Sequence, residues 1–360
     1  MNLIDLGWND FFKAHFESLD LDNVIPARVA VQQKDRSVII CEEGELWAEV
    51  SGKFRHAALS KSDYPTVGDW VAITMKPGGD GAVIQALLPR KSKFSRRAVL
   101  DGETGEQVLS ANIDTAFVVC GLDGEYKLRR LERYIAVAYD SGTSPVVILN
   151  KSDLCDEVDA IRSEVEATAT GVPVHPVSAI TKDGLDVLDD YLEKGRTAAF
   201  LGSSGVGKST IINSLLGYER QRTGEVRESD RRGRHITTYR ELIVLPNGGI
   251  LIDTPGMREI EIWGEQDGLS RAFDDIEALA SQCRFNDCSH ATEPGCAVRE
   301  ALENGDLDND RYQNYLKLQK ELQRLAIRKS GKEAHYQKLQ GKKFSSMVKE
   351  VKKFKRDKLG

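Results

Sequence analysis

The chain reads as three parts in series: a five-stranded β-barrel of the OB-fold type, an α/β domain on a mostly parallel sheet, and a mainly helical segment with a cysteine-rich knuckle. Three observations predict this. Five short Val- and Ile-rich stretches crowd into residues 26–88, apolar strands alternate with helix-periodic segments over residues 115–252, and strand patterns stop at about Asp267. Strands in a run, then strands alternating with helices, indicate separate domains. A length of 360 residues accommodates two or three.

Residues 1–22 form an N-terminal extension in which Leu3, Leu6, Phe11, Phe12, Phe16 and Leu19 recur at near-helical spacing, predicting a short amphipathic helix packed on the barrel or its neighbour. The barrel, residues 23–92, takes its strands from Pro26–Gln33, Arg36–Glu42, Glu45–Ser51, Val67–Met75 and Gly81–Leu88. Trp47 and Trp70 fall inside strand patterns, so core packing is expected of them. Lys53-Phe54-Arg55 reads as an exposed turn and a candidate RNA contact, with Arg36 and Lys61 nearby in the chain. A basic joint (Arg90, Lys91, Lys93, Arg96, Arg97) opens the α/β domain, residues 93–266. Its strands are read at Thr115–Cys120, Pro145–Leu149, Val172–Val177, Ala198–Leu201, Leu242–Leu245 and Ile250–Ile252. Its helices are read at Leu128–Tyr139 and Asp156–Thr170 and from Gly184 and Lys208. Residues 267–327 are helical, with a long helix from about Asp308 past Leu325, and residues 328–360 form a basic tail.

The net charge of -6 conceals an asymmetry, because the tail alone carries +9 and the remaining chain -15. Clustered cations beside an acidic body point to a polyanionic partner. In the tail Phe344, Met347, Val348, Val351 and Phe354 repeat at helical spacing among lysines, which predicts a basic amphipathic helix. Packing on protein or RNA would order it, and a membrane surface is the competing reading. No apolar run approaches the roughly 18 residues of a membrane span. No basic segment leads into an apolar one at the N-terminus, so a soluble, cytoplasmic protein is expected. Six cysteines in this length are no disulfide framework.

Gly202-Ser203-Ser204-Gly205-Val206-Gly207-Lys208-Ser209 fits the G-x-x-x-x-G-K-[ST] pattern, follows an apolar strand and opens a helix that continues with Thr210. Glycines there let main-chain N–H groups turn onto phosphate oxygens, Lys208 reaches the β- and γ-phosphates, and the Ser209 hydroxyl binds Mg²⁺. The base is specified elsewhere. Asn150-Lys151-Ser152-Asp153 sits at a strand end, where the Asp153 carboxylate can accept both N1–H and N2–H of guanine, a donor pair adenine lacks. Asn150 braces the loops, the Lys151 stem lies over the base, and Ser178-Ala179 offers an N–H to guanine O6. Asp253-Thr254-Pro255-Gly256 ends another strand, with Asp253 toward Mg²⁺ and the Gly256 N–H toward the γ-phosphate. Thr237 and Thr238 lie in an Arg-rich loop where a switch threonine belongs, Thr237 being favoured as the Mg²⁺ ligand. Together these motifs predict a GTP hydrolase using Mg²⁺.

Their order is permuted. A Ras-like domain runs from P-loop to switch threonine, Asp-x-x-Gly, Asn-Lys-x-Asp and Ser-Ala, whereas here the last two precede the P-loop. Joined termini and a new opening preserve the sheet, giving a circularly permuted Ras-like P-loop GTPase domain.

Downstream, Cys283-x4-Cys288-x-His290-x5-Cys296 supplies three thiolates and an imidazole, the donor set of a closed, structural Zn²⁺ site. Surface thiols or a disulfide are the competing reading. Cys41, Cys120 and Cys155 lie in apolar patterns and are expected in the core.

Permuted order, a leading barrel and a trailing Cys/His knuckle resemble the RsgA (YjeQ) family of small-ribosomal-subunit-dependent GTPases across nearly the whole chain. The resemblance implies an OB-fold, a permuted G domain and a zinc domain, acting as a monomer on the 30S subunit and its 16S rRNA late in maturation. This chain departs from the family's His-Thr-Thr-Thr switch, reading His235-Ile236-Thr237-Thr238. Met257 stands where Ras-type enzymes place a water-orienting Gln, so slow intrinsic hydrolysis and strong stimulation by a partner are expected. His235 either positions the water or contacts the partner's phosphates. Competing functions are a GTPase serving another RNA or a translation factor, and an RNA-binding assembly scaffold with a structural nucleotide.

Overall fold

The computed structural model describes residues 2–33, 36–100, 103–124, 126–218, 240–253 and 267–327. The chain divides into two compact units, Met1–Ala278 and Leu279–Gly360.

The first unit begins with a 3-10 turn, Leu3–Leu6, broken at Gly7, and then α1 (Asp10–Glu17), capped by Asn9. The expected lead-in helix is therefore two pieces. Five strands follow, each within a few residues of its predicted place: β1 (Ile25–Gln32), β2 (Ser37–Cys41), β3 (Gly44–Val50), β4 (Trp70–Met75) and β5 (Ala82–Leu87). They pair in the order β1-β2-β3-β5-β4, and β4 returns to β1 to close the barrel. Its interior is filled by Ala27, Val29, Ile39, Val71, Ile73 and Ile84, the inward members of the period-2 alternation.

Three sequence expectations need correction here. Lys53-Phe54-Arg55 lies not on a turn but in α2 (Gly52–Ala57), started by the Ser51 hydroxyl accepting from the Phe54 N–H at 3.0 Å. Trp70 is fully buried, but Trp47 is 41% exposed with the Arg36 guanidinium 4.1 Å from its ring centroid. The basic joint is a hairpin of β6 (Lys93–Leu100) and β7 (Glu103–Ala111).

The α/β part then runs β8 (Thr115–Gly121), α3 (Leu128–Asp140), β9 (Ser144–Asn150), α4 (Val158–Thr168), β10 (Val174–Val177), β11 (Thr197–Leu201), α5 (Lys208–Leu216), β12 (Arg240–Val244) and β13 (Ile250–Asp253). The helix expected from Gly184 is a 3-10 helix, Leu185–Tyr191. α6 (Asp267–Ala272) packs on α3, where Gly268 meets the Asp140 backbone so closely that a Cβ would lie 2.4 Å from its nitrogen. α7 (Asp274–Ala280) follows in the chain. The sheet order is β10-β9-β8-β11-β13-β12, parallel except for β12. Parallel pairing places the carboxyl ends of β8, β9, β10, β11 and β13 along one edge, where ligands of open α/β sheets bind.

β12 also pairs antiparallel with β1 of the barrel, Val31 opposite Glu241 and Gln32 opposite Arg240, so barrel and parallel sheet form one hydrogen-bonded surface. Arg28 fixes the same region. Its fully buried guanidinium donates to the carbonyls of Leu6 (2.5 Å), Gly68 (3.2 Å) and Asn112 (3.1 Å), tying lead-in, barrel and β7–β8 connection together. Burial pushes its pKa down to about 10, and Asp114 and Asp69 oppose that shift.

The second unit holds α8 (Ala297–Asn304) and a helix over residues 309–327, α9, as predicted. Among the described residues no helix is long and apolar enough to cross a membrane.

Candidate nucleotide site and metal centre

The loop 202–207 leaves β11 over a floor of buried apolar side chains that includes Val206, Val119 and Phe200. Two glycines are required by close approach and by backbone angle. A Cβ on Gly202 (φ 146°) would stand 2.4 Å from the Val119 carbonyl oxygen, and one on Gly207 (φ 96°) 2.1 Å from the Asn150 side-chain nitrogen. Gly207 is also the N-cap of α5 and provides no side-chain acceptor, so the first N–H groups of that helix keep their capacity for an anion.

Asn150, the last residue of β9 and 1% exposed, joins three loops. Its Nδ2 donates to the Val206 carbonyl at 2.8 Å, and its Oδ1 accepts from the Ala179 N–H at 3.1 Å. The bracing role expected of it is thus present in geometry. Lys151 adopts φ 66° and its ammonium pairs with Asp123, beyond the end of β8. Ser152 and Asp153 open a short 3-10 turn with Asp153 exposed. Ser178 is buried, its hydroxyl accepting from the Thr181 N–H at 3.1 Å. The large apolar side chains that follow, Leu154 and Ile180, are 63% and 75% exposed.

At the other end of the loop, Lys208 Nζ donates to the carbonyls of Gly202 (2.7 Å) and Ser203 (2.5 Å). Ser209 and Thr210 lie half-buried in the first turn of α5. One turn later the Ser214 hydroxyl reaches the Ala179 carbonyl at 3.2 Å, binding this helix to the Ser178-Ala179 loop. Asp253 ends β13, opposite Glu241.

The structure therefore brings the residue 150, 178 and 202 loops together although as many as 56 residues separate the partners in sequence. Sequence patterns missed Asp123, Ser214 and Arg130, whose Nη1 donates to the Ser203 hydroxyl at 2.8 Å. No local signal marks them, because each is defined by a distant partner. His235, Thr237, Thr238, Gly256, Met257 and the basic tail lie outside the described residues.

In the second unit the ligand atoms of Cys283, Cys288, His290 and Cys296 all lie within 4.8 Å of one another. Cys283 Sγ is 3.5 Å from His290 Nδ1 and 3.9 Å from Cys296 Sγ, with 3.4 Å between His290 Nδ1 and Cys296 Sγ. Metal–ligand bonds of about 2.0–2.3 Å in a tetrahedron give ligand–ligand edges of this length, so the four side chains fit one metal ion. His290 has φ 59°, in the left-handed region that histidine enters more readily than most residues. Of the other cysteines, Cys41 and Cys120 are buried as expected, while Cys155 is only half-buried.

The small ribosomal subunit biogenesis GTPase RsgA of Opitutus terrae is 46% identical to this chain over 330 residues, spanning 89% of this chain and 90% of its own length. The chain belongs to the RsgA GTPase family. It is a GTP-hydrolysing enzyme. The family's sequence model matches residues 87–263, which run from the end of the barrel through the nucleotide loops. The RsgA proteins of Syntrophotalea carbinolica (43% over 89% of this chain and 90% of theirs) and Methanosarcina acetivorans (38% over 97% and 92%) are also similar. Among solved structures, YjeQ from Thermotoga maritima superposes with a TM-score of 0.61 at 28% identity, covering 83% of this chain and 98% of that one. YloQ, described as a circularly permuted GTPase, has the same fold, with a TM-score of 0.61, 23% identity and coverage of 84% and 96%. The OB-type barrel, permuted nucleotide domain and Cys/His-bearing helical segment expected from sequence are all present.

Proposed function

We propose that this RsgA-family protein is a GTPase of small (30S) ribosomal subunit maturation, stimulated by the subunit, bound to its 16S rRNA and released on hydrolysis, working as a monomer in the cytoplasm. The observation that carries the nucleotide half is Asn150, which links the loop bearing Asp153 to the phosphate loop through one buried side chain. The relatives' name as small-subunit biogenesis GTPases supports the ribosomal half.

Asp153 takes the guanine N1–H and N2–H pair, the Ala179 region presents its backbone to O6, and the Lys151 stem covers the base. Exposed Leu154 and Ile180 lie next in sequence to these groups, and a purine would shield their apolar surface. The main chain of residues 202–208 and the Lys208 ammonium hold the β- and γ-phosphates. Ser209, Thr237 and Asp253 are the residues to hold Mg²⁺, which when bound neutralises charge on the phosphate oxygens. With Met257 unable to orient a water strongly, His235 or a group supplied by the subunit does so.

Zn²⁺ is the metal we assign to Cys283, Cys288, His290 and Cys296, as a closed site that supports folding. Domains at 1–22, 23–92, 93–266, 267–327 and 328–360 remain our reading of the organisation. RNA contacts are assigned to the basic tail and to the barrel, where Gln33, Arg36, Arg55 and Tyr64 line a cleft of about 260 Å³.

Multiple-turnover phosphate release, measured with and without purified 30S subunits, tests the proposal. Strong stimulation is expected. Fast turnover without subunits, or none with them, would refute it.

A further inference from the structure

We propose that Arg130 is a positioning residue for the phosphate loop, acting through the side chain of Ser203. The inference rests on reading residues 202–209 as the phosphate cradle. α3 starts with Leu128, Arg129 and Arg130, has Lys127 as its N-cap, has no acidic residue in its first turn and lacks a side-chain cap. Cations at the positive end of a helix work against its macrodipole, so this placement does not serve the stability of α3. Arg129 is accounted for by the buried Glu132 carboxylate at 2.5 Å. Arg130 is different. Among the described residues its side chain makes one hydrogen bond, Nη1 to the Ser203 hydroxyl at 2.8 Å. The buried Cys120 thiol, which the charge of Arg130 pulls down, is nevertheless pushed by desolvation up to about 12 and so carries no anion at neutral pH.

Ser203 is thereby held from two directions, its side chain by Arg130 and its carbonyl by Lys208 Nζ at 2.5 Å. The residues it precedes, Ser204-Gly205-Val206-Gly207, include two glycines at positive φ and lose much conformational freedom when they close on a phosphate. A charge-assisted hydrogen bond at the entry of the loop keeps it near its binding geometry before nucleotide arrives, which removes part of the ordering cost from binding. The effect should appear in nucleotide affinity and KM, and hardly in kcat, because Arg130 acts through the loop and not on the reacting atoms.

The test is GDP binding by the full-length protein with Mg²⁺, by calorimetry, alongside steady-state GTP hydrolysis on 30S subunits. Loss of one charged hydrogen bond at a half-buried site corresponds to a roughly tenfold weaker Kd. Arg130→Ala and Ser203→Ala should each show it, with KM raised in proportion and kcat within about threefold. The double variant should be no weaker than the worse single, since the two remove the same interaction. Arg130→Lys should recover most of the affinity, and thermal midpoints should stay at the wild-type value. Additive losses, an unchanged Kd, or a lowered midpoint with unchanged Kd would each overturn the inference. Lys208→Ala separates it from the reading beneath it. If Lys208→Ala abolishes GDP binding while Arg130→Ala leaves it intact, only the inference fails; if Lys208→Ala also binds GDP normally, the phosphate cradle and the inference fall together.

Discussion

Replacing Asn150 gives the most direct measure of how the nucleotide site is assembled. The side chain is 1% exposed and makes two hydrogen bonds to two different loops, 2.8 Å to the Val206 carbonyl and 3.1 Å from the Ala179 N–H. Asn150→Ala strands both partners. A buried polar group without a partner costs about 1–3 kcal/mol, so the low end of that range, about 1 kcal/mol, is a minimum for each. Their sum is about 2 kcal/mol, or a roughly 30-fold weaker Kd, if the loops must now be ordered by the nucleotide. Asn150→Asp is the sharper variant. It keeps an acceptor for the Ala179 N–H but turns a carboxylate oxygen toward the Val206 carbonyl and buries a charge with that single N–H to match it. It should bind GDP more weakly than Asn150→Ala despite being closer in shape. Calorimetric titration with GDP, with a thermal melt on each variant, reads both effects. The reasoning is refuted if Asn150→Ala binds GDP within threefold of wild type, or if Asn150→Asp is the better binder.

Asp153→Asn should leave phosphate contacts intact yet abolish most of the preference for GTP over ATP; a competition assay in which selectivity is unchanged would remove Asp153 from base recognition. Cys288→Ser, or exhaustive chelation, should release one equivalent of zinc and lower helix content by circular dichroism, since a structural metal site carries folding energy. No loss of helix on metal removal would argue against a structural role. The fourth concerns pH. Burial, and then Arg162, hold the His175 imidazole below its ordinary value of 6.5, with its Nε2 2.8 Å from the Tyr191 hydroxyl. The unfolded chain therefore binds more protons in the window just below pH 6.5, and stability must fall as pH drops through it. Urea midpoints across that window should decline for wild type and flatten for His175→Gln; parallel slopes would assign the decline to other groups.

Much of this architecture was legible in the residues, and where it was not the reasons are physical. The phosphate loop, the Asn-Lys-x-Asp segment and the cysteine knuckle are local patterns whose chemistry needs neighbours in sequence. Trp47 carries a core signal by residue type, yet β3 alternates plainly: Glu45, Trp47 and Glu49 share the outer face and Ala48 points inward. After Gly184 the sequence predicts a helix without fixing its kind, and Leu185, Leu188 and Tyr191 recur at three-residue intervals, a spacing that a 3-10 helix satisfies at least as well as an α-helix. The hairpin of β6 and β7 was hidden by its lysines and arginines, whose charges obscured the buried Phe94 and Ser95 between them. Arg28, Asp123 and Arg130 carry no local signal, since their partners stand 22 to 84 residues away.

The pairing of β12 with β1 has a practical consequence for anyone dividing the molecule. β12 begins two residues after Thr238, and one of its flanks is completed by main chain from the barrel. Excising residues 1–92 would strip that flank and leave an unpaired strand margin open to edge-to-edge association. A truncated nucleotide domain prepared for kinetic work should therefore be prone to self-association, and its turnover would describe a domain whose β12 has lost one paired edge.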